Sequence, residues 1–217
     1  MSLNEIKEKM RSGAIYDPAD AELLPYQLSR INRVNAYNRI PATPKGLKKR
    51  EKLLKELFGE AGEGCYIEPP FYANLGGSNL KLGKYVYANF HLTLVDDGEI
   101  IIGDHVMIGP NVTIATARHP VSPVLRKNGL QYNLPVTVGS NVWIGSGAVI
   151  LPGVTIGENA IIGAGSVVTK AIPANVIAVG NPCRVLREIT EEDLRTYDRG
   201  KPISAEILSK YRCIIQN

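Results

Sequence analysis

Apolar residues recur every six positions through most of the stretch from Ile100 to Pro173. The register falls on Ile102, Ile108 and Ile114 and, after an interruption, on Val138, Ile144, Ile150, Ile156, Ile162 and Val168. A helix would repeat its apolar positions at intervals of three and four, and a half-buried strand would alternate with period two. The spacing therefore predicts neither, and indicates a short unit repeated many times.

Each unit of six is a short extended segment around one inward aliphatic residue, followed by a small corner. A glycine follows the aliphatic residue at Gly103, Gly109, Gly139, Gly145, Gly157 and Gly163. Without a Cβ, glycine permits a tight corner. Three such faces would close one coil of about 18 residues, with coils stacked about 4.8 Å apart. The repeats predict an all-β domain, a parallel β-helix.

An earlier run with the same step of six precedes Ile100. It consists of Leu82, Ala88 and Leu94. Its phase slips by two residues before Ile102, so we expect a bulge or a small excursion at Asp96 to Glu99.

The regions on either side of the repeats are polar and carry helix signals. We expect a first helix that is capped by Asn4 and ends near Gly13, a second from Asp20 or Ala21 to Asn38 that is broken or started at Pro25, and a third from Lys45 to Phe58. After the repeats, Thr190 to Asp193 resembles a capping box that opens a short helix, and Ser204 to Ile214 predicts a helix or a strand. We divide the chain into an N-terminal helical segment (1–60), a β-helix domain (61–187) with a loop at 115–136, and a C-terminal extension (188–217).

The third helix combines an apolar side with a charge run. We assign Leu47, Leu53, Leu54 and Leu57 to the apolar side. The run from Lys48 to Lys52 is interpreted as a solvated face, because charge runs usually are.

Composition excludes several classes of protein. A chain of 217 residues with 44% apolar content suits one domain of ordinary core size. The net charge of +4, without a dense basic stripe, argues against nucleic-acid binding. Cys65, Cys183 and Cys213 are scattered and odd in number, which favours reduced thiols in a cytoplasmic protein. We find neither a signal peptide nor a membrane span, and expect no membrane partner.

The interruption at 115–136 is the leading candidate for a functional site. A long loop inside a compact repeat is usually functional, and loops on rigid scaffolds commonly carry chemistry. His119 opens this loop, and histidine, with a reference pKa of about 6.5, can accept a proton from a hydroxyl near neutral pH. His91 and His105 occupy a different phase of the repeat from His119, which counts against a three-histidine metal site.

Several motifs resemble the galactoside and maltose O-acetyltransferase family. They are the repeats themselves, Thr116-Ala117-Arg118-His119-Pro120, Asn141-Val142-Trp143-Ile144-Gly145, the segment from Gly163 to Lys170 and the segment from Val179 to Val185. The galactoside branch is most similar, through Glu68-Pro69-Pro70, Tyr87-Ala88-Asn89-Phe90, Leu94-Val95-Asp96-Asp97 and the segment from Leu125 to Gly129. The resemblance runs from the N-terminal helices to about Ile189.

The resemblance implies a left-handed β-helix and a homotrimer with active sites between subunits. It also implies acetyl transfer from acetyl-CoA to a sugar hydroxyl, with no metal and no acyl-enzyme. His119 would be the general base, and Asn89 would orient the hydroxyl or stabilise the developing charge. Asp17 and Asp97 would accept hydrogen bonds from other sugar hydroxyls. Alternatively, Asp17 caps a turn, Asp97 is only part of the expected bulge, and Asn89 belongs to a corner ladder.

The resemblance also implies which residues bind acetyl-CoA, and these residues are small or cationic. Ser146 and Ala164 occupy corners where their backbone could meet the thioester and the pantetheine arm. The residues that could hold the phosphates of CoA are Thr169, Lys170, Arg184 and Arg187. Trp143 either packs beside the acetyl site or is an exposed aromatic residue between subunits.

Two departures from the family pattern affect the acceptor side. Gln27 stands where family members usually carry an arginine, with Arg30 one turn later. Asn74 lies in a segment that is one residue longer than in the galactoside enzymes, where a serine or an aspartate would meet the sugar. Acceptor specificity is therefore the part of the function that the resemblance defines least.

The sequence favours an O-acetyltransferase for a galactoside or a related sugar. The alternatives are an acetyltransferase for maltose, glucose, an amino-sugar or an antibiotic, then a γ-type carbonic anhydrase, which would require converging histidines and a metal, and finally a non-catalytic solenoid.

Overall fold

The computed structural model describes residues 1–215, and side chains up to residue 211. Cys213, predicted to be a reduced thiol, lies outside the side chains described. Cys65 and Cys183 are free and buried.

The first helix, α1 (Leu3–Ser12), begins earlier than expected. The Ser2 hydroxyl accepts a hydrogen bond from the Glu5 N–H, and the Glu5 carboxylate accepts one from the Ser2 N–H at 2.7 Å. This is a capping box, so the assignment of the cap to Asn4 was wrong, although the helix ends at Gly13 as predicted.

The second and third helices are α2 (Leu23–Asn38) and α3 (Pro44–Leu57). Pro25 lies in the first turn of α2, where its missing N–H breaks no helical hydrogen bond, so the helix starts there rather than being interrupted. The Thr43 hydroxyl caps α3 by accepting from the Gly46 N–H at 3.0 Å.

The solvated face predicted for α3 is wrong at one residue. Arg50 is 4% exposed, donates to the Tyr66 hydroxyl at 2.8 Å and also donates to the Ile40 carbonyl. It thereby joins α3 to the first coil. Leu47, assigned to the apolar side, is exposed instead.

Short parallel strands form three faces of a β-helix. The first face contains β1 (Glu60–Ala61), β4 (Leu80–Leu82), β7 (Ile100–Ile102), β12 (Val136–Val138) and β15 (Thr155–Ile156). The second face contains β2 (Tyr66–Ile67), β5 (Tyr87–Ala88), β8 (Met107–Ile108), β13 (Trp143–Ile144), β16 (Ile161–Ile162) and β18 (Val176–Val179). The third face contains β3 (Tyr72–Ala73), β6 (Thr93–Val95), β9 (Thr113–Ala115), β14 (Val149–Ile150) and β17 (Val167–Val168).

The predicted register of six is the register of the coils. Leu82, Ile102, Val138 and Ile156 are consecutive partners on the first face. The inward residues form one continuous apolar core. Burying each aliphatic side chain stabilises the fold by about 1.5 to 3 kcal/mol, so the stack of coils is the main source of stability.

The predicted excursion is present between β6 and β7. Ile102 lies two positions later after Leu94 than the repeat requires, and Asp96 and Asp97 in the extra segment are both buried. The interruption after β9 forms β10 (Ala117–Arg118), the short helix α4 (Pro123–Lys127) and β11 (Tyr132–Asn133).

The C-terminal extension folds back on the last coil and then leaves it. Strand β19 (Arg184–Glu188) pairs antiparallel with β18. A 3₁₀-helix (Glu191–Leu194) follows with Thr190 in the predicted capping box, and then an unpredicted hairpin of β20 (Thr196–Tyr197) and β21 (Lys201–Pro202). Of the helix and the strand predicted for the end of the chain, the structure has the helix, α5 (Ala205–Ile215). Within residues 1–215, we find no helix with the length and apolar content needed to span a membrane.

Candidate active site

Small residues line the corner that follows β8, β13 and β16 of the second face. We call it the small-residue corner; it contains Pro110, Ser146 and Ala164 on successive coils, and Asn89 follows β5 at the same corner, one coil before Pro110. The coils are linked there by hydrogen bonds from the Gly147 N–H to the Pro110 carbonyl and from the Gly165 N–H to the Ser146 carbonyl, each 2.8 Å long.

The stacking at this corner leaves no space for larger residues. A Cβ at Gly145 would lie 2.5 Å from the backbone nitrogen of Ala164, and one at Gly109 would lie 2.7 Å from that of Ser146. Ser146 and Ala164 are nevertheless exposed to solvent. The two residues are therefore held by close packing of the coils and are accessible to a ligand.

Asn89 presents an amide donor at the same corner. Its Oδ1 accepts from the Phe90 N–H at 2.7 Å, so the NH₂ group is the part of the amide left to donate to a ligand. The asparagine ladder foreseen as an alternative for Asn89 forms elsewhere, through Asn141, Asn159 and Asn175 at 2.9 and 2.8 Å.

The loop at 115–136 is an ordered hairpin that leaves the third face. Strands β10 and β11 pair antiparallel at its base. Arg126 donates to the Pro120 carbonyl at 3.4 Å and also to that of Val121, which ties α4 to the start of the loop.

His119 is oriented by the return strand of the loop. Its exposed ring has Nδ1 2.8 Å from the Leu130 carbonyl oxygen. Because a carbonyl oxygen can only accept, Nδ1 carries the hydrogen and the neutral ring has its lone pair on Nε2. This tautomer suits a general base.

The three histidines lie apart in the fold. His105 stacks on Tyr85 with ring centroids 5.1 Å apart, and His91 stacks on Tyr72 at 6.4 Å. Among the residues whose side chains are described, no three His, Cys, Asp or Glu residues form a group that could hold a metal.

Asp97 is the centre of a buried polar network. It is 3% exposed; its Oδ2 accepts from Asn74 Nδ2 at 2.8 Å and its Oδ1 from Gln131 Nε2 at 3.1 Å. Gln27 Nε2 in turn donates to Asn74 Oδ1 at 3.1 Å. Three of the predicted acceptor-side residues, Gln27, Asn74 and Asp97, are thus brought together.

Arg30 does not belong to this network. It donates to the carbonyls of Leu75 and Gly76, each at 3.2 Å, and also to that of Leu57. These contacts anchor α2 to the first coil, so Arg30 does not take the place of the arginine that Gln27 replaces.

Asp96 holds the segment that carries Asn74. Its two carboxylate oxygens accept from the N–H groups of Leu75 and Gly77 at 2.7 and 2.8 Å. Burial raises the pKa of Asp96 to about 6, while the two N–H groups act to lower it.

The N-terminal segment reaches the loop through Tyr16. The backbone of Tyr16 forms an isolated antiparallel bridge with Gln131, and its buried hydroxyl contacts Asp97 and Asn133 at 3.5 and 3.4 Å. Burial raises the pKa of Tyr16, so the hydroxyl keeps its proton. Asp17 follows directly; its Oδ1 accepts from the Ala19 N–H at 2.9 Å, which is the turn cap foreseen as an alternative.

Sequence reasoning did not identify Tyr16 and Gln131. Their contact spans 115 positions along the chain, and neither belongs to a motif. Their positions offer a weak sequence signal: Tyr16 directly precedes Asp17, and Gln131 lies near the end of the loop at 115–136.

The predicted phosphate-binding residues fall into two groups. Arg184 pairs with Val179 at the upper end of the small-residue corner, whereas Thr169 and Lys170 follow β17 on the third face. Arg187 donates twice to the Asp193 carboxylate at 2.7 Å, so its guanidinium is already engaged.

Trp143 faces outward on the second face. It lies between Met107 and Ile161 in register and is 51% exposed. Trp143 is thus available either to an acetyl site or to a neighbouring subunit.

Comparison with known proteins supports the resemblance. Residues 135–170 match the family model described as bacterial transferase hexapeptide (six repeats), and residues 9–62 match the maltose acetyltransferase hexapeptide capping motif. The galactoside O-acetyltransferase of Lactococcus lactis subsp. lactis is 50% identical over 93% of this chain and 97% of its own length. That of Escherichia coli K12 is 47% identical over 92% and 97%, respectively.

Comparison with solved structures identifies the same family. A galactoside acetyltransferase in complex with coenzyme A is 46% identical and superposes with a TM-score of 0.87, covering 92% of this chain and 98% of that one. A maltose O-acetyltransferase from Clostridium difficile 630 is 43% identical, with a TM-score of 0.82 over 88% and 98% of the two chains.

The fold and the comparisons together define a hexapeptide-repeat acyltransferase. This chain belongs to the galactoside and maltose O-acetyltransferase family. The predicted left-handed parallel β-helix and acetyltransferase class are confirmed. The carbonic anhydrase and the non-catalytic solenoid are set aside.

Proposed function

We propose that this chain transfers the acetyl group of acetyl-CoA to a hydroxyl of a galactoside or a related sugar by direct attack, with His119 as general base. The observation that carries the proposal is the hydrogen bond from His119 Nδ1–H to the Leu130 carbonyl, which leaves Nε2 to accept a proton. The names of the relatives support the acceptor class, and the coenzyme A complex of a related galactoside acetyltransferase supports the donor.

The acceptor would be held by the network around Asp97. Asp97 Oδ2 accepts one hydrogen bond, from Asn74, and has a second lone pair for a sugar hydroxyl, whereas Oδ1 accepts from Gln131 and from the Tyr16 hydroxyl. Asp17 contributes a further carboxylate, and Asn74 and Gln27 set the shape of this side.

The proton follows a short cycle in this mechanism. His119 Nε2 accepts the proton as the hydroxyl oxygen attacks the thioester carbonyl. The resulting imidazolium returns it to the sulfur when the C–S bond breaks, so charge is not left on either product. Asn89 orients the hydroxyl or stabilises the developing oxyanion with its NH₂ group.

The donor would run along the small-residue corner. The exposed residues Ser146 and Ala164 suit a narrow thioester and pantetheine arm. Arg184 supplies a cationic group to the phosphates at the upper end of this corner, and Thr169 and Lys170, which follow the third face, would supply a hydroxyl and an ammonium group from the neighbouring subunit. Arg187 contributes only if it releases Asp193, to which it is bound twice.

We further propose a homotrimer whose active sites lie between subunits. Asn89 follows β5 of the second face and His119 follows β9 of the third face, so the two stand at different corners of successive coils. The outward residues Tyr87, Met107 and Trp143 are 38%, 51% and 51% exposed, an apolar stripe that a neighbouring subunit would cover.

The parts of the chain divide this work. In the proposal, residues 1–60 cap the acceptor side and residues 61–187 carry the catalytic groups, while no role is assigned to residues 188–217. Acetyl-CoA is a cosubstrate, and the mechanism assigns no step to a metal. The free thiols of Cys65 and Cys183 suit a cytoplasmic location.

The test is thiol release from acetyl-CoA by the wild type and the His119→Ala variant, across galactosides, glucosides, maltose and amino-sugars. We expect galactosides to be the best acceptors and His119→Ala to lower turnover by about 10²-fold or more while coenzyme A binding is kept. The control is His105→Ala, because His105 stacks on Tyr85 away from the loop. Unchanged turnover in His119→Ala would remove His119 from the mechanism, and a preference for another acceptor would replace the galactoside assignment.

A further inference from the structure

Gln131 is a buried polar residue of the loop to which the mechanism gives no role. It is 7% exposed, and its Nε2 donates both to Asp97 Oδ1, at 3.1 Å, and to the Tyr16 hydroxyl. Burying an amide is costly unless its hydrogen bonds are made, so these contacts fix the side chain.

The peptide group between Leu130 and Gln131 connects His119 to the N-terminal segment. Its carbonyl accepts from His119 Nδ1 at 2.8 Å, and its N–H donates to the Tyr16 carbonyl at 3.0 Å. Because a trans peptide is planar, its N–H and C=O point in opposite directions. Fixing the N–H on Tyr16 therefore fixes the direction of the carbonyl that orients the imidazole.

A second backbone bond closes this arrangement. The Tyr16 N–H donates to the Gln131 carbonyl at 2.9 Å, which completes the antiparallel bridge. The side chain of Gln131 meanwhile reaches Asp97 on the excursion between β6 and β7. Gln131 thus contacts Asp97, the carboxylate proposed to bind the acceptor, and also belongs to the peptide group that orients His119.

We propose that Gln131, together with Tyr16, is a positioning residue that aligns His119 with the acceptor bound at Asp97. The inference rests on the proposed function, in which His119 is the base and Asp97 binds the acceptor. Gln131 touches neither the acetyl group nor the proton in flight. It keeps the imidazole and the carboxylate in one fixed relation, which is the condition for efficient proton transfer.

The first test is Gln131→Met, which keeps the length of the side chain and removes its donors. We expect kcat to fall about 10-fold and the KM for the acceptor to rise about 5-fold, with the KM for acetyl-CoA unchanged. The matched control is Asn128→Met: Asn128 Nδ2 donates to the Val124 carbonyl at 2.9 Å in the same loop and its side chain is exposed. Equal losses in the two variants would overturn the proposal in favour of general loop stability.

A second measurement separates positioning from a purely structural role. In the His119→Ala background, Gln131→Met should leave kcat unchanged and still raise the acceptor KM, because the base it orients is absent. A further drop in kcat there would overturn the route through His119.

A spectroscopic readout does not depend on activity. In protein with ¹⁵N-labelled histidine, the Nδ1–H resonance of His119 should shift or broaden in Gln131→Met and stay in place in Asn128→Met. An unchanged resonance would overturn the proposal. If Gln131→Met does not fold, Gln131→Asn is used, whose amide is one methylene too short to reach Asp97.

The failure of this inference is distinguishable from that of the proposed function. Wild-type kinetics in Gln131→Met together with an inactive His119→Ala variant would contradict only the inference. Wild-type turnover in His119→Ala would contradict the proposed function itself.

Discussion

Two corners of the same β-helix differ in almost every physical respect. The small-residue corner repeats from coil to coil, and its backbone is packed so closely that a single Cβ at Gly145 would lie 2.5 Å from the next coil. The corner after the third face is irregular: it carries the excursion with Asp96 and Asp97 and, one coil later, the hairpin with His119. One corner presents backbone and small groups, and the other presents ionisable side chains.

The difference follows from what each corner contributes. A repeated, tightly packed corner is rigid and can guide a narrow, extended ligand. Side chains that exchange protons and read hydroxyls need partners from several segments, and these become available only where the repeat is interrupted. The regular corner thus suits acetyl-CoA, and the irregular corner suits the sugar acceptor.

The strongest test of the comparison joins the two corners across subunits. Asn89→Ala and His119→Ala should each lose about 10²-fold in turnover when expressed alone. Co-expressed chains carrying one change each should regain about a quarter of the wild-type activity, because random assembly of a trimer pairs an intact Asn89 with an intact His119 at that fraction of sites. Thiol release by the whole population of co-expressed trimers measures this; activity no higher than that of the single variants would place both residues in one subunit.

The rigidity of the small-residue corner can be tested by stability. Gly145→Ala should destabilise the fold by about 2 to 3 kcal/mol, because the added Cβ meets the backbone of the next coil. Gly147→Ala is the control: its φ is +69° with open space around it, so only a conformational cost of about 1 kcal/mol is expected. Urea unfolding gives both values, and equal losses would contradict close packing at this corner.

The irregular corner should respond to pH through Asp96. Its pKa is raised to about 6 in the folded protein from a reference value of 3.8, so between these values the folded state holds a proton that the unfolded state has lost. Asp96 therefore makes the fold less stable as the pH rises from about 4 to about 6, and Asp96→Asn should remove this decline.

The measurement is the free energy of unfolding of wild type and variant across that range of pH. Asp104→Asn is a suitable control, since Asp104 is exposed and its carboxylate accepts from the Lys84 N–H at 2.7 Å. A difference between wild type and Asp96→Asn that does not vary with pH would show that Asp96 does not titrate there.

The smallest expected effect concerns the upper end of the small-residue corner. Arg184→Ala should raise the KM for acetyl-CoA about 3- to 10-fold and leave the acceptor KM unchanged, since an exposed arginine–phosphate contact contributes about 1 kcal/mol. Arg195→Ala, which removes an exposed arginine of the C-terminal extension, is the control. A larger effect on the acceptor KM would assign Arg184 to the acceptor side.

The sequence determined the architecture of this protein, because each repeat is local. One inward aliphatic residue and one corner in every six positions specify which side chains are buried, and coils with the same pattern stack on one another. The sequence also identified the interruption at 115–136 and the histidine that opens it. It identified the excursion at Asp96 and the family motifs as well.

Only the tertiary structure decided how distant segments meet. Tyr16, Asp97 and Gln131 come from the N-terminal segment, the excursion and the hairpin, and the tautomer of His119 depends on the Leu130 carbonyl. The charge run likewise predicts a solvated Arg50, whereas the fold buries this residue against Tyr66. Periodicity assigns each residue to a face of its own coil, whereas contacts between coils, helices and loops depend on where the stacked chain brings them, and this is not encoded in any local pattern.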